Sequence, residues 1–207
     1  MILEIVCVGP MQVNCYILAP KVNSPTIIID PGQEGNKIKR RLREHKLTPA
    51  LIINTHGHMD HIGCDDDFGV PIYIHSQDVA LLTDSKLNLS AVFMSPITVK
   101  SEIRPVEEKS RICLEGIELG VIHTPGHTPG GIALYLEKPQ GSNIVFTGDS
   151  LFFQGIGRTD FPGASEELLV KSIRDKLFKL PDETKVYPGH GPSTTIGREK
   201  KENPFLI

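Results

Sequence analysis

Apolar residues along this chain fall mostly into short runs bounded by glycine, proline or asparagine, the pattern of strands rather than long helices. Ile2 to Val8 and Val13 to Leu18, separated by Gly9-Pro10, predict an antiparallel pair. Thr26 to Ile29 predicts a third strand that stops at Asp30-Pro31-Gly32, a triplet suited to a turn. Asn36 to Lys46 carries Ile38 and Leu42 at helical spacing, and Thr48-Pro49 reads as the stop of that helix. Ala50 to Asn54 is again strand-like, Asp60 to Phe68 could be a short helix, Pro71 to His75 a strand and Gln77 to Thr83 a helix. Between Lys86 and Pro105 no period survives, and a loop of that length is expected to carry function or mobility, here as one wall of a substrate cleft.

The second half repeats the theme. Arg111 to Leu114 and Gly116 to Ile122 predict a hairpin turning at Glu115-Gly116, and Gly131 to Leu136 and Asn143 to Phe146 predict strands joined through Lys138-Pro139-Gln140-Gly141. Glu166 to Leu177 predicts an amphipathic helix with Leu168, Leu169, Ile173 and Leu177 on one stripe and Ser165 as its N-cap. Lys185 to Tyr187 is a last strand, and Ile196 to Asn203 closes the chain. Clustered strands with helices after some of them fit two sheets with outer helices better than one parallel sheet. No repeat, low-complexity tract or linker interrupts residues 1–207, so a single domain is expected.

One strand leads into unusual chemistry. Leu51-Ile52-Ile53-Asn54-Thr55 is followed by His56-Gly57-His58-Met59-Asp60-His61, three imidazoles and a carboxylate within six positions. Those are the side chains that ligate Zn, Fe or Mn, and Gly57 lets the backbone turn sharply enough to aim them together. Three later segments also end an apolar run in a glycine-rich turn bearing a ligand type: Ile122-His123-Thr124-Pro125-Gly126-His127, Phe146-Thr147-Gly148-Asp149 and Tyr187-Pro188-Gly189-His190. Singly, His127 and His190 could be loop histidines and Asp149 a turn cap; their shared setting favours a common site. His123, on the other side of its turn from His127, is assigned to structure, as is His75, while His45 in a charged helix is expected to face solvent.

Composition narrows the classes. Net charge is −3, with 22 Lys and Arg against 25 Asp and Glu, and the basic run Lys37 to Arg43 reads as a solvated helix face, so nucleic acid is not an expected partner. The acidic run Asp65-Asp66-Asp67 is read as flexible surface carboxylates. The N-terminus lacks a basic region and carries Glu4, unlike a signal peptide, and no apolar run is long enough for a bilayer. Four cysteines show no C-x-x-C spacing; Cys7, Cys15 and Cys113 are expected to be buried reduced thiols in a cytoplasmic protein.

These motifs resemble, in order and across nearly the whole chain, those of the metallo-β-lactamase-fold hydrolase superfamily. Within it the likeness is to the hydroxyacylglutathione hydrolase (glyoxalase II) family, in particular short relatives carrying Gly155-Ile156-Gly157-Arg158-Thr159-Asp160-Phe161-Pro162-Gly163 and the ending Gly197-Arg198-Glu199-Lys200-Lys201-Glu202-Asn203-Pro204-Phe205. The resemblance implies an α+β fold, a four-layer αββα sandwich. It implies that His56, His58 and His127 hold one metal, that Asp60, His61 and His190 hold a second, and that Asp149 bridges them, with Asp60 and Asp149 counted as catalytic carboxylates. Seven ligands with one shared give each divalent ion, zinc first and iron or manganese as alternatives, four protein contacts and room for a solvent nucleophile. Arg158 matches a lysine near the glutathione carboxylate in that family and is the substrate-binding candidate, against a loop-bracing pair with Asp160.

The implied reaction is hydrolysis of a small thioester, such as a glutathione conjugate. A cysteine usually stands at the position of Asp149 in the family's β-lactamases, which argues against antibiotic hydrolysis. The contending reading is a mononuclear-iron persulfide dioxygenase using the positions of His56, His127 and Asp149. Retention of every second-site ligand favours hydrolysis, and the complete set counts against a non-catalytic metal-binding module. Full-length relatives contact glutathione with a C-terminal helical segment that this chain is expected to lack, and Cys64 stands where a glycine is common in the family.

Overall fold

The computed structural model describes residues 1–93, 95–138 and 143–207. The expected connection through Lys138 to Gly141 lies largely outside the described residues. Two compact units emerge, residues 1–106 with 113–117, and residues 107–112 with 118–207.

In the first unit a six-stranded sheet runs in chain order: β1 (Ile2–Val8), β2 (Val13–Ala19), β3 (Pro25–Ile29), β4 (Thr48–Ile53), β5 (Ile72–His75) and β6 (Ile103–Val106). β1, β2 and β3 pair antiparallel, and β3 to β6 pair parallel. Every residue of β2 is buried. The helix α1 (Gly35–Glu44) makes the crossover from β3 to β4 and sets Ile38 and Leu42 into a cluster with Val6, Val8, Ile17, Ile28, Ile52 and Ile72. Burial of each such aliphatic side chain is worth about 1.5–3 kcal/mol, so this layer fixes the β3 and β4 ends.

Several expectations change here. Thr48-Pro49 does not stop the helix: α1 ends at Glu44, Lys46 turns with φ 53°, and Thr48 and Pro49 already pair with β3. Proline is tolerated because the ladder shifts register between Thr26 and Ile27. The segment from Asp60 to Phe68 is two short pieces, α2 (Met59–Ile62) and a 3₁₀ turn at Asp65–Asp67, broken at Gly63, whose Cα packs so closely on the Gly32 carbonyl that a Cβ would collide with it.

The acidic run is not a flexible surface. Asp65 is buried against the Asn54 amide, Asp66 accepts from the Lys100 and Ser101 backbone and the Ser101 hydroxyl, and Asp67 pairs with Lys39 at 3.1 Å. Asp66 thereby organises the supposedly aperiodic stretch from 86 to 105, which contains α4 (Ser90–Phe93) and β6. That stretch is closed by polar bonds, Asn88 donating to the carbonyls of Leu81 and Ile97, and so shows no apolar period. Between them α3 (Val79–Thr83) follows a 3₁₀ turn.

Another six-stranded sheet is ordered β14-β13-β10-β9-β8-β7. Its strands are β7 (Arg111–Leu114), β8 (Ile117–His123), β9 (Ile132–Leu136), β10 (Ile144–Gly148), β13 (Lys185–Pro188) and β14 (Thr194–Thr195), and a ribbon of β11 (Leu151–Phe152) and β12 (Gly155–Ile156) stands apart. The β7–β8 hairpin turns at Glu115 and Gly116, both with positive φ, as a two-residue turn of matching twist requires. α5 (Glu166–Asp175) is capped by the Ser165 hydroxyl, which accepts from Leu168 N, and buries Leu169 and Ile173; α6 (Ile196–Glu202) follows. Leu168 is 42% exposed and does not belong to the buried stripe, which runs through Leu169, Ile173 and Leu177.

Only Cys15 of the three strand cysteines is buried; Cys7 and Cys113 fall on outward alternation positions and are exposed. His45 is half-buried rather than solvated, its Nε2 lying 3.0 Å from the Glu4 carboxylate. Among the described residues no helix is long and apolar enough to cross a membrane.

Candidate metal centre

Within the first unit, β4 delivers Thr55 and His56 beyond its end. The Thr55 N–H and hydroxyl both donate to Asp30, at 2.7 Å each, so the end of β3 grips the end of β4. With its own proton on Asp30, the Thr55 hydroxyl can accept from His56 Nδ1 at 3.2 Å, which leaves Nε2 as the ligand atom. Gly57 is required by space: a Cβ there would collide with the Leu81 side chain, while the Gly57 N–H is fixed by buried Asp78 at 3.1 Å. His58 precedes α2, whose single turn carries Asp60 and His61.

The rings of His56 and His58 lie 4.8 Å apart and those of His56 and His61 4.2 Å apart, with Asp60 Oδ2 3.8 Å from His61 Nε2. His56, His58 and His61 are all buried. Packing three imidazoles together away from water suits a cation better than a plain core. His61 Nδ1 lies 3.0 Å from Asp30 Oδ2, so the carboxylate orients the ring with Nε2 toward Asp60.

Asp30 is therefore a supporting residue that the sequence reading treats only as a turn former. Its signal was present: an aspartate closing an apolar strand before proline and glycine repeats the grammar of the ligand segments. Its φ of 49° marks the same spot as special, since a non-glycine residue held there needs strong partners.

The second unit gathers Asp149, His127 and His190. β10 and β13 are parallel neighbours, and the Gly189 N–H donates to the Gly148 carbonyl at 2.8 Å, so Asp149 and His190 leave one sheet edge side by side. Asp149 Oδ2 stands 3.6 Å from His190 Nε2 and 3.6 Å from His127 Nε2. His127 is reached through Gly126, whose φ of 139° and tight packing on the Leu169 backbone exclude a side chain. Its Nδ1–H donates to the Arg158 carbonyl at 2.7 Å, which fixes the tautomer and frees Nε2. Gly157 lets that loop close: a Cβ there would overlap the Asp149 carbonyl.

Arg158 thus contributes by its backbone, a role the sequence reading did not foresee. Its side chain makes two bonds to Asp160, at 2.9 and 2.8 Å, and its guanidinium lies 4.4 Å over the Phe161 ring, an exposed arrangement that also holds the Asp160 carboxyl below its ordinary range. The bracing pair foreseen as the alternative is what this side chain makes. His123 bonds the Pro129 carbonyl at 2.9 Å, and buried His75 accepts from Gln77 N at 3.3 Å, structural parts as expected. Asp65 accepts from the Asn54 amide, and burial pushes its carboxyl well above the ordinary range against that bond.

The description of the Metallo-beta-lactamase superfamily matches residues 8–190, a span that ends on His190 itself. The chain belongs to that superfamily. Its fold is the metallo-beta-lactamase fold, α+β with two sheets, as the resemblance implies. Among relatives of this superfamily member, the hydroxyacylglutathione hydrolase GloC of Haemophilus influenzae is 38% identical, covering 99% of this chain and 97% of its own. A crystal structure described as BLEG-1 B3 metallo-beta-lactamase superposes with a TM-score of 0.92 at 37% identity over the full length of both chains. A second crystal structure, of a protein in a di-iron-bound form, gives a TM-score of 0.81 at 36% identity, covering 98% of this chain and 100% of the other.

Proposed function

We propose that this protein is a metal-dependent hydrolase of small thioesters, with a glutathione conjugate as the substrate class. Two divalent ions, zinc or in its place iron or manganese, would be held by His56, His58 and His127 and by Asp60, His61 and His190, with Asp149 shared. The observation that carries the reading is the Asp149 carboxylate, one oxygen of which stands equally far from two imidazole nitrogens whose rings come from different loops. The donor set fits the ions: imidazoles and carboxylates are their ordinary ligands, and the Arg158 carbonyl on Nδ1 of His127 leaves its Nε2 as the coordinating atom.

When bound, such a pair of ions supplies Lewis acidity and lowers the pKa of water toward neutrality. The chain's own residues keep the geometry: Asp30 lies against His61, the Arg158 carbonyl holds His127, and Asp149 stands between His127 and His190. The leaving group needs no protein acid, because a thiol of pKa about 8.5 departs readily as thiolate. Arg158 is proposed to release Asp160 and pair with a substrate carboxylate, for which its planar fork is suited. The GloC relative supports the glutathione class.

The test is to load the protein with zinc or with iron and follow thiol release from S-lactoylglutathione beside oxygen uptake with glutathione persulfide and turnover of a chromogenic β-lactam. Thiol release without oxygen uptake is expected. Oxygen uptake or β-lactam turnover in place of thioester cleavage would overturn the substrate assignment.

A further inference from the structure

The ribbon of β11 and β12 packs on His190 and is continuous in the chain with Asp149 on one side and with the Gly157-Arg158 segment that meets Asp149 and His127 on the other. It begins two residues after Asp149, and Phe152 on its first strand packs edge-on against His190 with ring centres 6.1 Å apart. Its second strand runs into Gly157, which presses on the Asp149 carbonyl, and into Arg158, whose carbonyl fixes His127. A two-stranded ribbon this short is unstable alone, so something else must hold its tip. That tip is costly in itself, since Gln154 sits at φ 52°.

The holder lies in α6. Glu199 is fully buried, and its carboxylate accepts from the Gln154 N–H at 2.9 Å, from the Thr194 hydroxyl at 2.6 Å and from the Asn203 amide at 2.8 Å. Asn203, also fully buried, donates a second bond at 3.1 Å to the carbonyl of Gly155. One helix turn thus grips the ribbon by a donor and by the adjacent acceptor. If the space only had to be filled, an apolar residue would do so with less desolvation.

We propose that Glu199, with Asn203, is a positioning residue for the metal centre: it sets the β11–β12 ribbon and through it Asp149, His127 and His190. The inference rests on the metal-centre reading above. The carboxylate needs no contact with metal or substrate to do this, because the ribbon's two ends are the ligand Asp149 and the carbonyl that orients His127.

The experiment uses the full chain titrated with cobalt(II) and zinc, read by the visible cobalt bands and by thiol release, with apo-protein folding followed by circular dichroism. Glu199→Gln places an amide donor among three donors, Asn203→Ala removes the grip on Gly155 together with one bond to Glu199, and Thr194→Val removes one bond at constant shape. All three are expected to shift the cobalt bands; Glu199→Gln and Asn203→Ala weaken uptake by about 10- to 100-fold, as for other residues that orient ligands, and Thr194→Val by less. Lys201→Ala, exposed on the same helix, should match the parent protein. Folded Asn203→Ala and Thr194→Val proteins with parental cobalt spectra and affinity would overturn the proposal, even if Glu199→Gln fails to fold. A parent protein that takes up no cobalt would overturn the metal-centre reading first, before any variant is compared.

Discussion

The two units present their candidate ligands by opposite means. In the first, His56, His58, Asp60 and His61 come from one loop and one helical turn, supported by side-chain carboxylates, Asp30 and Asp78. In the second, His127, Asp149 and His190 come from three loops tens of residues apart, supported by a carbonyl, by two tight glycine contacts at Gly126 and Gly157 and by a ribbon bonded to Glu199 of α6. Local ligands need only a local frame; dispersed ones inherit the precision of everything between them. The dispersed set is therefore the more easily disturbed from a distance.

The largest expected effect comes at the hub of the dispersed set. Asp149→Ala should abolish thiol release, a loss beyond the about 100-fold that removing a supporting residue causes, while circular dichroism reports an intact fold. Retained activity would break the comparison outright. Next, Asp30→Ala should weaken metal uptake by about 10- to 100-fold, measured by zinc titration, because His61 and Thr55 lose one shared anchor. If the self-contained set is as robust as its contiguity suggests, His56 and His58 keep part of the cobalt signal.

The glycines sharpen the contrast. Gly126→Ala must push against the Leu169 backbone and adopt a forbidden φ, whereas Gly57→Ala meets the Leu81 side chain. Urea unfolding should show the first destabilised by about 1–3 kcal/mol and the second by less; equal losses would mean that side-chain packing around Gly57 is as unyielding as backbone. The smallest effect is at Asp65, whose buried carboxyl is raised above its unfolded value. Such a group favours the fold below the ordinary aspartate range and loses that contribution as pH rises through its folded pKa. Asp65→Asn should flatten the decline of apo-protein stability toward alkaline pH, measured by urea midpoints across pH.

The same contrast explains what was legible in the sequence. His56 to His61 announce themselves because ligands and spacing share one window, and the paired strands around them alternate or run apolar as strands should. His127, Asp149 and His190 are individually ambiguous and become readable only through a repeated strand-then-glycine pattern and a family resemblance. Asp30 carried that pattern and was passed over as a turn, since proline and glycine beside it already accounted for an aspartate. The carbonyl of Arg158 could not be seen, because a backbone atom leaves no mark on residue type. Nor could β11, β12 and β14, two residues each, show a period. Cys7 and Cys113 were misplaced because apolar character was trusted over alternation, and the polar-bonded stretch around Asn88 was read as structureless because its ties are hydrogen bonds, not apolar contacts.

One residue does two separable jobs. What steadies His127 is the peptide oxygen at position 158, and every amino acid brings that atom. An engineer could therefore sample almost any side chain there, trading the outer pairing with Asp160 for another, and leave the inner scaffold as it stands. Proline, which would stiffen the chain beside Gly157, is the exchange to avoid.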